Sequence, residues 1–226
     1  YGIRLDSGDL AYLSKKARKM LDEAGFNDAV ISASSDLDEY LIDSLKTQGA
    51  KITSWGVGTN LITSKDCPAF GGVYKLAAVM DKDGTFIPKI KLSENSDKIT
   101  NPGNKTVYRV YDRDGMIKAD LISFADEVYS ENDPLLLFDP VETWKKTLLK
   151  PGEYTLREIV LPVFKNGICI YETPSVMDIQ AYCDKELATL WDESKRLVNP
   201  HEVHIDLSSR LFDVRKELLD NYTGIN

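Results

Sequence analysis

The stretch GIRLDSGDLAYLSKKARKMLDEAG, residues 2–25, introduces a design that the chain repeats. A short apolar segment over 2–5 leads into a polar turn over 6–9, and apolar residues then recur every three or four positions, as on one face of a helix. Asp6 or Ser7 is expected to cap the start of this helix, and Gly25 suits its end. The stretch therefore predicts one strand, one turn and one helix.

Two later segments follow the same order. In the second segment, AVISAS over 29–34 precedes a Ser-Asp turn and a helical pattern that ends at Gly49. In the third, KITSW over 51–55 precedes GVGTNLITS over 56–64, where any helix would be short. Strands that alternate with helices indicate parallel βαβ units, whose ligands bind beyond the carboxyl ends of the strands. The turns DSGD, SSD and GVGT are therefore predicted to meet at one edge of an α/β barrel or sheet.

The pattern changes near residue 70. Segments 71–93 and 105–123 each have strand-like runs around an Asp-Gly turn and predict antiparallel hairpins, with a polar loop over 94–105 between them. Beyond 131, a proline-punctuated stretch precedes predicted helices over 175–198 and 207–222. We therefore predict three parts: barrel strands and helices in 1–70, hairpins of a sheet-rich domain in 71–130, and a helical C-terminal region in 131–226.

Composition excludes several classes of protein. A net charge of −8 and an isoelectric point near 4.9 argue against a nucleic-acid partner. No apolar run approaches the roughly 20 residues that span a bilayer, and no signal peptide is visible, so we expect no membrane partner and a cytoplasmic location. The three cysteines, Cys67, Cys169 and Cys183, are odd in number and far apart, which predicts reduced thiols.

Charged residues of the first turn are candidates for a site. Alternate side chains of a strand face the same way, so Arg4 and Asp6 share one side of the first strand. They could equally form an ion pair that closes a barrel end, and Asp36 could be only a helix cap. The glycines of GVGT let backbone N–H groups approach an anion, although one such turn is weak evidence for phosphate.

Two histidines near the C-terminal end, with acidic neighbours, are candidates for a metal site. His201 and His204 are three residues apart, and Glu202 and Asp206 are acidic neighbours. The two histidines precede a strand-like segment. This spacing does not match a helical pair of zinc ligands. We therefore predict ordinary hydrogen-bonded histidines and no metal held by this chain.

Several segments in one order resemble the nicotinate phosphoribosyltransferase family. They are GIRLDSGDLAYLSKKARKMLDEAGF, ISASSDLDEYLI, WGVGTNLIT, GGVYKLAAV, KLSENSDKITNPGNKTVYR and NPHEVHIDLS. The resemblance covers nearly the whole chain. It implies a type II phosphoribosyltransferase fold: the C-terminal part of an irregular α/β barrel, followed by antiparallel β-hairpins and a helical C-terminal region.

The resemblance also implies a reaction. Nicotinate and phosphoribosyl pyrophosphate would give nicotinate mononucleotide and pyrophosphate, with coupled ATP hydrolysis, in the salvage branch of NAD biosynthesis. Mg²⁺ would accompany pyrophosphate or ATP, and the family implies a homodimer. The implied substrate-binding residues are Arg4 at the nicotinate ring, Asp6 and Asp36 near the ribose, and Gly56, Gly58 and Thr59 at the 5′-phosphate, together with Ser7 and Val57. Asp6 would also be catalytic.

The chain departs from the family in three respects. Ser35 stands where the family often has Asn, and Asn60 where it often has Lys, so one positive charge is lost beside the phosphate turn. The family's catalytic histidine, which ATP phosphorylates, has no counterpart here, because His201 and His204 do not fit that role. We therefore expect a fragment that needs a missing N-terminal half and is inactive alone, since about three barrel strands leave unpaired edges.

Two other functions are compatible with parts of this sequence. A different phosphate-binding barrel, such as quinolinate phosphoribosyltransferase, would share the early turns but not the later hairpin segments. A non-catalytic or inactive paralogue, acting as a structural or binding chain, would share all of them.

Overall fold

The computed structural model describes residues 1–69, 71–95 and 98–223. The chain divides into two compact units, unit 1 over Tyr1–Val73 and unit 2 over Tyr74–Asn226. The predicted division at residues 70 and 130 stays a prediction, although strands from both sides of residue 130 share one sheet. The predicted loop over 94–105 includes residues 96 and 97, which lie outside the described residues, as does residue 70 at the first predicted boundary.

Unit 1 contains a parallel sheet of three strands, as the repeated design predicts. The first strand pairs with the second from Gly2 opposite Val30 to Leu5 opposite Ala33, and the second pairs with the third. The elements are β1 Gly2–Leu5, α1 Leu10–Glu23, β2 Val30–Ala33, α2 Glu39–Thr47, β3 Ser54–Trp55 and the short α3 Thr59–Ile62.

Apolar side chains hold the helices of unit 1 against its sheet. The buried residues of this core are Leu10, Ala11, Ala33, Leu37 and Leu45. The buried Ser14 hydroxyl joins α1 to the chain before β3, because it donates to the Ala11 carbonyl and accepts from the Lys51 N–H, both at 3.1 Å. Burial of this kind stabilises the unit.

Unit 2 is built on a six-stranded sheet in the order β10-β6-β7-β13-β8-β9. Both predicted hairpins are present as antiparallel pairs, β4 with β5 and β6 with β7. The strands are β4 Ala78–Met80, β5 Phe86–Pro88, β6 Lys105–Asp112, β7 Ile117–Phe124, β8 Leu135–Phe138, β9 Lys146–Leu149, β10 Tyr154–Glu158, β11 Phe164–Lys165, β12 Ile168–Cys169 and β13 His204–Leu207. Strands β8 to β12 were not predicted.

The helices of unit 2 are α4 Val176–Ala188 and α5 Ser209–Thr223. The predicted helix over 175–198 is wrong beyond Ala188. Thr189 ends α4, and its carbonyl accepts a hydrogen bond from the Ile117 N–H of β7 at 2.8 Å. The Trp191 indole returns a bond to the Ile117 carbonyl at 2.9 Å. These bonds to the sheet replace the next helical turn, and a short 3-10 helix over Asp192–Lys195 follows.

A charged network ties α4 to the sheet, although α4 has no buried residue. The Arg109 guanidinium donates to both oxygens of Asp120, at 2.8 and 2.9 Å. Arg157 donates to both oxygens of Glu186 at 2.7 and 2.6 Å, and Arg109 reaches Glu186 at 3.3 Å. The Arg157 guanidinium holds the pKa of Glu186 below its usual value. Polar pairing, rather than apolar burial, therefore fixes this helix.

The state of the cysteines and the length of the apolar helices were both predicted from composition. The cysteines are free and exposed. Within the described ranges, no helix has the length and apolar character of a membrane span.

Candidate functional site

The turns after β1, β2 and β3 meet at the carboxyl edge of the parallel sheet in unit 1. The Ser34 N–H donates to the Leu5 carbonyl at 2.9 Å, and the Gly56 N–H donates to the Ala33 carbonyl at 2.8 Å. The Ser34 hydroxyl also donates to the Asp6 carboxylate at 2.8 Å. The edge predicted from the repeated design therefore forms in the structure.

Each of the first two turns contains a pair of aspartates with divided roles. The second of each pair caps a helix: Asp9 accepts from the Tyr12 N–H, and Asp38 accepts from the Leu41 N–H at 2.7 Å. The expectation that Asp6 or Ser7 caps α1 is therefore wrong, because α1 begins at Leu10. Asp36 is likewise not the cap of α2. The first aspartate of each pair, Asp6 or Asp36, is left at the sheet edge.

Asp6 has a fixed orientation at this edge. One carboxylate oxygen accepts from Ser34, and the other accepts from the Arg4 guanidinium at 2.9 Å. The pair remains open, since 67% of the Arg4 side chain and 55% of the Asp6 side chain is exposed. Arg4 makes no other hydrogen bond to the residues that the structure describes. The pair is thus preorganised but retains donors that a ligand can use.

Asp36 lies on an unusual backbone turn. Ser35 has φ 112° and Asp36 has φ 44°. Left-handed geometry costs a non-glycine residue about 1–2 kcal/mol. Asp36 is exposed, and its carboxylate has no hydrogen-bond partner in the described part of the chain. Such strain persists where the surroundings fix it, which is common at functional sites.

The GVGT turn offers backbone donors. The Gly56 N–H is already bonded to Ala33, so Gly56 is not a free donor. The N–H groups of Val57, Gly58 and Thr59 have no acceptor among residues 1–69. A side chain built on Gly58 would meet nothing within 4 Å, so the space beside this turn is open. An anion could therefore reach these N–H groups directly.

Ser7 is exposed beside Gly8, whose φ is 79°. A cavity of about 310 Å³ lies between α2 and α3 and includes Val57 and Asn60 in its lining, but not Arg4, Asp6 or Asp36. Ser34, which donates to Asp6, was not predicted as a site residue. Its position directly after β2, beside the turn after β1, was the available signal.

The comparisons with known proteins agree with one another. A domain family described as "Nicotinate phosphoribosyltransferase C-terminal domain" matches residues 104–215. The nicotinate phosphoribosyltransferase of Bacillus subtilis is 49% identical over 208 residues, which cover 92% of this chain and 42% of that protein. The Dictyostelium discoideum protein of the same name is 34% identical over 232 residues, covering 96% and 38%.

A solved structure extends these matches to the fold. The crystal structure of human nicotinic acid phosphoribosyltransferase aligns with a TM-score of 0.71 at 26% identity, and the alignment covers 96% of this chain and 40% of that one. The chain thus spans about two fifths of the length of the relatives it matches. On sequence and fold together, the chain belongs to the nicotinate phosphoribosyltransferase family.

Proposed function

We propose that this chain supplies the C-terminal part of an enzyme that forms nicotinate mononucleotide and pyrophosphate from nicotinate and phosphoribosyl pyrophosphate, in the salvage branch of NAD biosynthesis. The observation that carries the proposal is the arrangement at the edge of unit 1. Asp6 and Asp36, which cap no helix, lie on two neighbouring turns, and the third turn offers the N–H groups of Val57, Gly58 and Thr59, which have no acceptor among residues 1–69. Ribosyl transfer from a phosphorylated sugar uses groups of both kinds.

Charge and position give each group a role. Ribosyl transfer passes through a centre with oxocarbenium character, and a carboxylate held beside it favours the developing positive charge. Asp6 is suited to this role because Ser34 and Arg4 fix its orientation before substrate arrives. Asp36 and Ser7 would contact the ribose. The N–H groups of Val57, Gly58 and Thr59 would bind the 5′-phosphate, with Gly56 shaping the turn.

Arg4 is proposed to recognise nicotinate. The ligand carries a carboxylate, and a guanidinium can bind it by a charge-assisted hydrogen bond or can stack on the ring. Arg4 uses one N–H on Asp6 and keeps the others available within the described structure. The same side chain would then orient the catalytic carboxylate and the base.

The remaining parts of the reaction lie beyond this chain. No group of three or more His, Cys, Asp or Glu within the described ranges could hold a metal ion. We propose that Mg²⁺ arrives with pyrophosphate or ATP, whose charge it would neutralise. The histidine that ATP phosphorylates would come from an N-terminal half outside these residues, and the complete enzyme would be a cytoplasmic homodimer. Residues 1–226 alone should therefore not turn over.

The experiment measures nicotinate mononucleotide formation by the complete enzyme and by its Asp6→Asn variant. Loss of the charge should lower kcat about 100-fold to 1,000-fold while the KM for phosphoribosyl pyrophosphate changes less. Asp38→Asn is the matched control, since Asn caps a helix about as well as Asp. Full activity of Asp6→Asn would overturn the catalytic role. Binding of phosphoribosyl pyrophosphate without turnover by the parent enzyme would favour the non-catalytic alternative.

A further inference from the structure

Asn60 joins two of the three turns at the edge of unit 1. Its side-chain nitrogen donates to the carbonyl oxygens of Asp36 and Leu37, both at 3.0 Å. Asn60 directly follows the GVGT turn as the second residue of α3. One amide therefore connects the proposed phosphate turn to the loop that carries Asp36.

The two carbonyls belong to a segment that needs external support. Ser35 and Asp36 have left-handed φ values, and the Asp36 carbonyl is one of the two acceptors. A side-chain NH₂ group has two N–H donors, so it can satisfy one carbonyl with each. Asn60 is thus matched in number and geometry to the strained turn that it contacts.

We propose that Asn60 is a positioning residue for the binding of phosphoribosyl pyrophosphate. It holds the backbone of Asp36 so that this carboxylate meets the ribose while the adjacent N–H groups of GVGT bind the 5′-phosphate. This inference rests on the proposed function, because it assumes that Asp36 contacts the ribose. It assigns Asn60 a role through its two hydrogen bonds, and the separate expectation that the missing positive charge alters affinity stays a prediction.

The first test is Asn60→Asp in the complete enzyme. Aspartate has nearly the same shape but no N–H donor, so its oxygens would face two carbonyl oxygens. The KM for phosphoribosyl pyrophosphate should rise about 10-fold to 100-fold, the effect of losing two hydrogen bonds. The KM for nicotinate should stay near the parent value. Asn166→Asp, the same chemical change in a hairpin turn of unit 2, is the control and should leave both constants unchanged.

A second variant separates donation from charge and guards against misfolding of the first. Lysine at this position keeps an N–H donor on a flexible side chain and adds a positive charge. If donation governs binding, Asn60→Lys should have a KM for phosphoribosyl pyrophosphate close to that of the parent. A large fall in this KM would show that charge is what matters at this position and would overturn the proposal.

A double-mutant cycle with Asp36→Asn shows whether Asn60 acts through Asp36. Asn60→Asp should raise KM strongly in the parent and only slightly in the Asp36→Asn background. Equal effects in both backgrounds would overturn the positioning role, because a merely structural residue would act independently of that carboxylate. An Asp36→Asn enzyme with an unchanged KM would instead refute the ribose contact on which the proposed function relies.

Discussion

The charged side chains at the sheet edge of unit 1 and those beside α4 in unit 2 have different surroundings. In unit 2, Arg109, Asp120, Arg157 and Glu186 bind one another and fix a helix that buries no side chain. In unit 1, apolar burial and the caps at Asp9 and Asp38 hold the helices, whereas Arg4 and Asp6 at the sheet edge form an exposed pair that contacts no helix in the described part of the chain. Charged groups that the fold does not use remain available to a ligand. Substitutions at the edge of unit 1 should therefore change activity, and those inside unit 2 should change stability.

The largest effect is expected where phosphate meets the backbone. Gly58→Val places a branched side chain where no atom lies within 4 Å of its Cβ. Because Gly58 has φ −106° and ψ −105°, outside the favoured regions of a β-branched residue, a small loss of stability is expected without loss of the fold. The same side chain would exclude phosphate from the N–H groups of the turn. Loss of two charge-assisted hydrogen bonds should raise the KM for phosphoribosyl pyrophosphate at least about 100-fold. Steady-state kinetics and thermal unfolding of the complete enzyme would check both statements. An unchanged KM would make GVGT a structural turn only.

The reverse behaviour is expected at Leu207 in the sheet of unit 2. Leu207 is fully buried with Phe124 and Leu211. Leu207→Ala should lower the free energy of unfolding by about 2–5 kcal/mol, because it removes buried methyl groups and leaves a cavity. The activity of the molecules that remain folded should be unchanged. Ile205→Ala on the same strand is the control, since Ile205 is 56% exposed. The measurement is the midpoint of chemical denaturation. If this midpoint falls by a similar amount in both variants, the loss reflects strand propensity and not burial.

The units also differ in how far sequence predicts their fold. In unit 1, each strand pairs with the next one along the chain, and a helix of regular period joins the first two, so local patterns were sufficient. In unit 2, the hairpins were predicted because Asp-Gly turns are local signals. Strand β13 lies between β7 and β8, and each of its residues pairs with a residue of β7 that is 85 positions earlier, as His204 does with Ala119. Its four residues carry no signal that specifies such a partner.

The candidate site was predicted in the same uneven way. Period and turn composition placed Asp6, Asp36 and the GVGT turn at one edge, because these follow from strand order. They did not reveal which aspartate of each pair caps a helix, since that depends on the exact first residue of the helix. They also did not reveal the contacts of Ser34 and Asn60, which join turns 28 and 24 residues apart.

A smaller effect is expected at Arg4, which tests whether an exposed ion pair of unit 1 serves a ligand. Arg4→Ala should lower kcat/KM with nicotinate about 10-fold to 100-fold, the loss of one hydrogen bond to a charged group. The efficiency with nicotinamide should fall less, because that ligand has no carboxylate. The measurement is the ratio of the two efficiencies in parent and variant. An equal fall for both ligands would indicate stacking alone, and unchanged rates would remove Arg4 from the site.

The smallest effect concerns Glu186, where the fold of unit 2 uses charge most directly. The pKa of this carboxyl is lowered by Arg157, so between the lowered value and its ordinary 4.5 the unfolded chain binds more protons than the folded one. Its contribution to stability is therefore complete above pH 4.5 and is lost as the pH falls through the lowered pKa. Glu186→Gln should reduce the free energy of unfolding at neutral pH by about 1 kcal/mol, the upper range for partly exposed ion pairs. The difference from the parent should shrink as unfolding is measured from about pH 6 down to about pH 3.

Asp184→Asn, an exposed change on the same helix, should show no such trend. A parallel pH dependence in parent and Glu186→Gln would mean that unit 2 does not depend on this pair, and the contrast between the two units would then rest on the Arg109 and Asp120 fork alone.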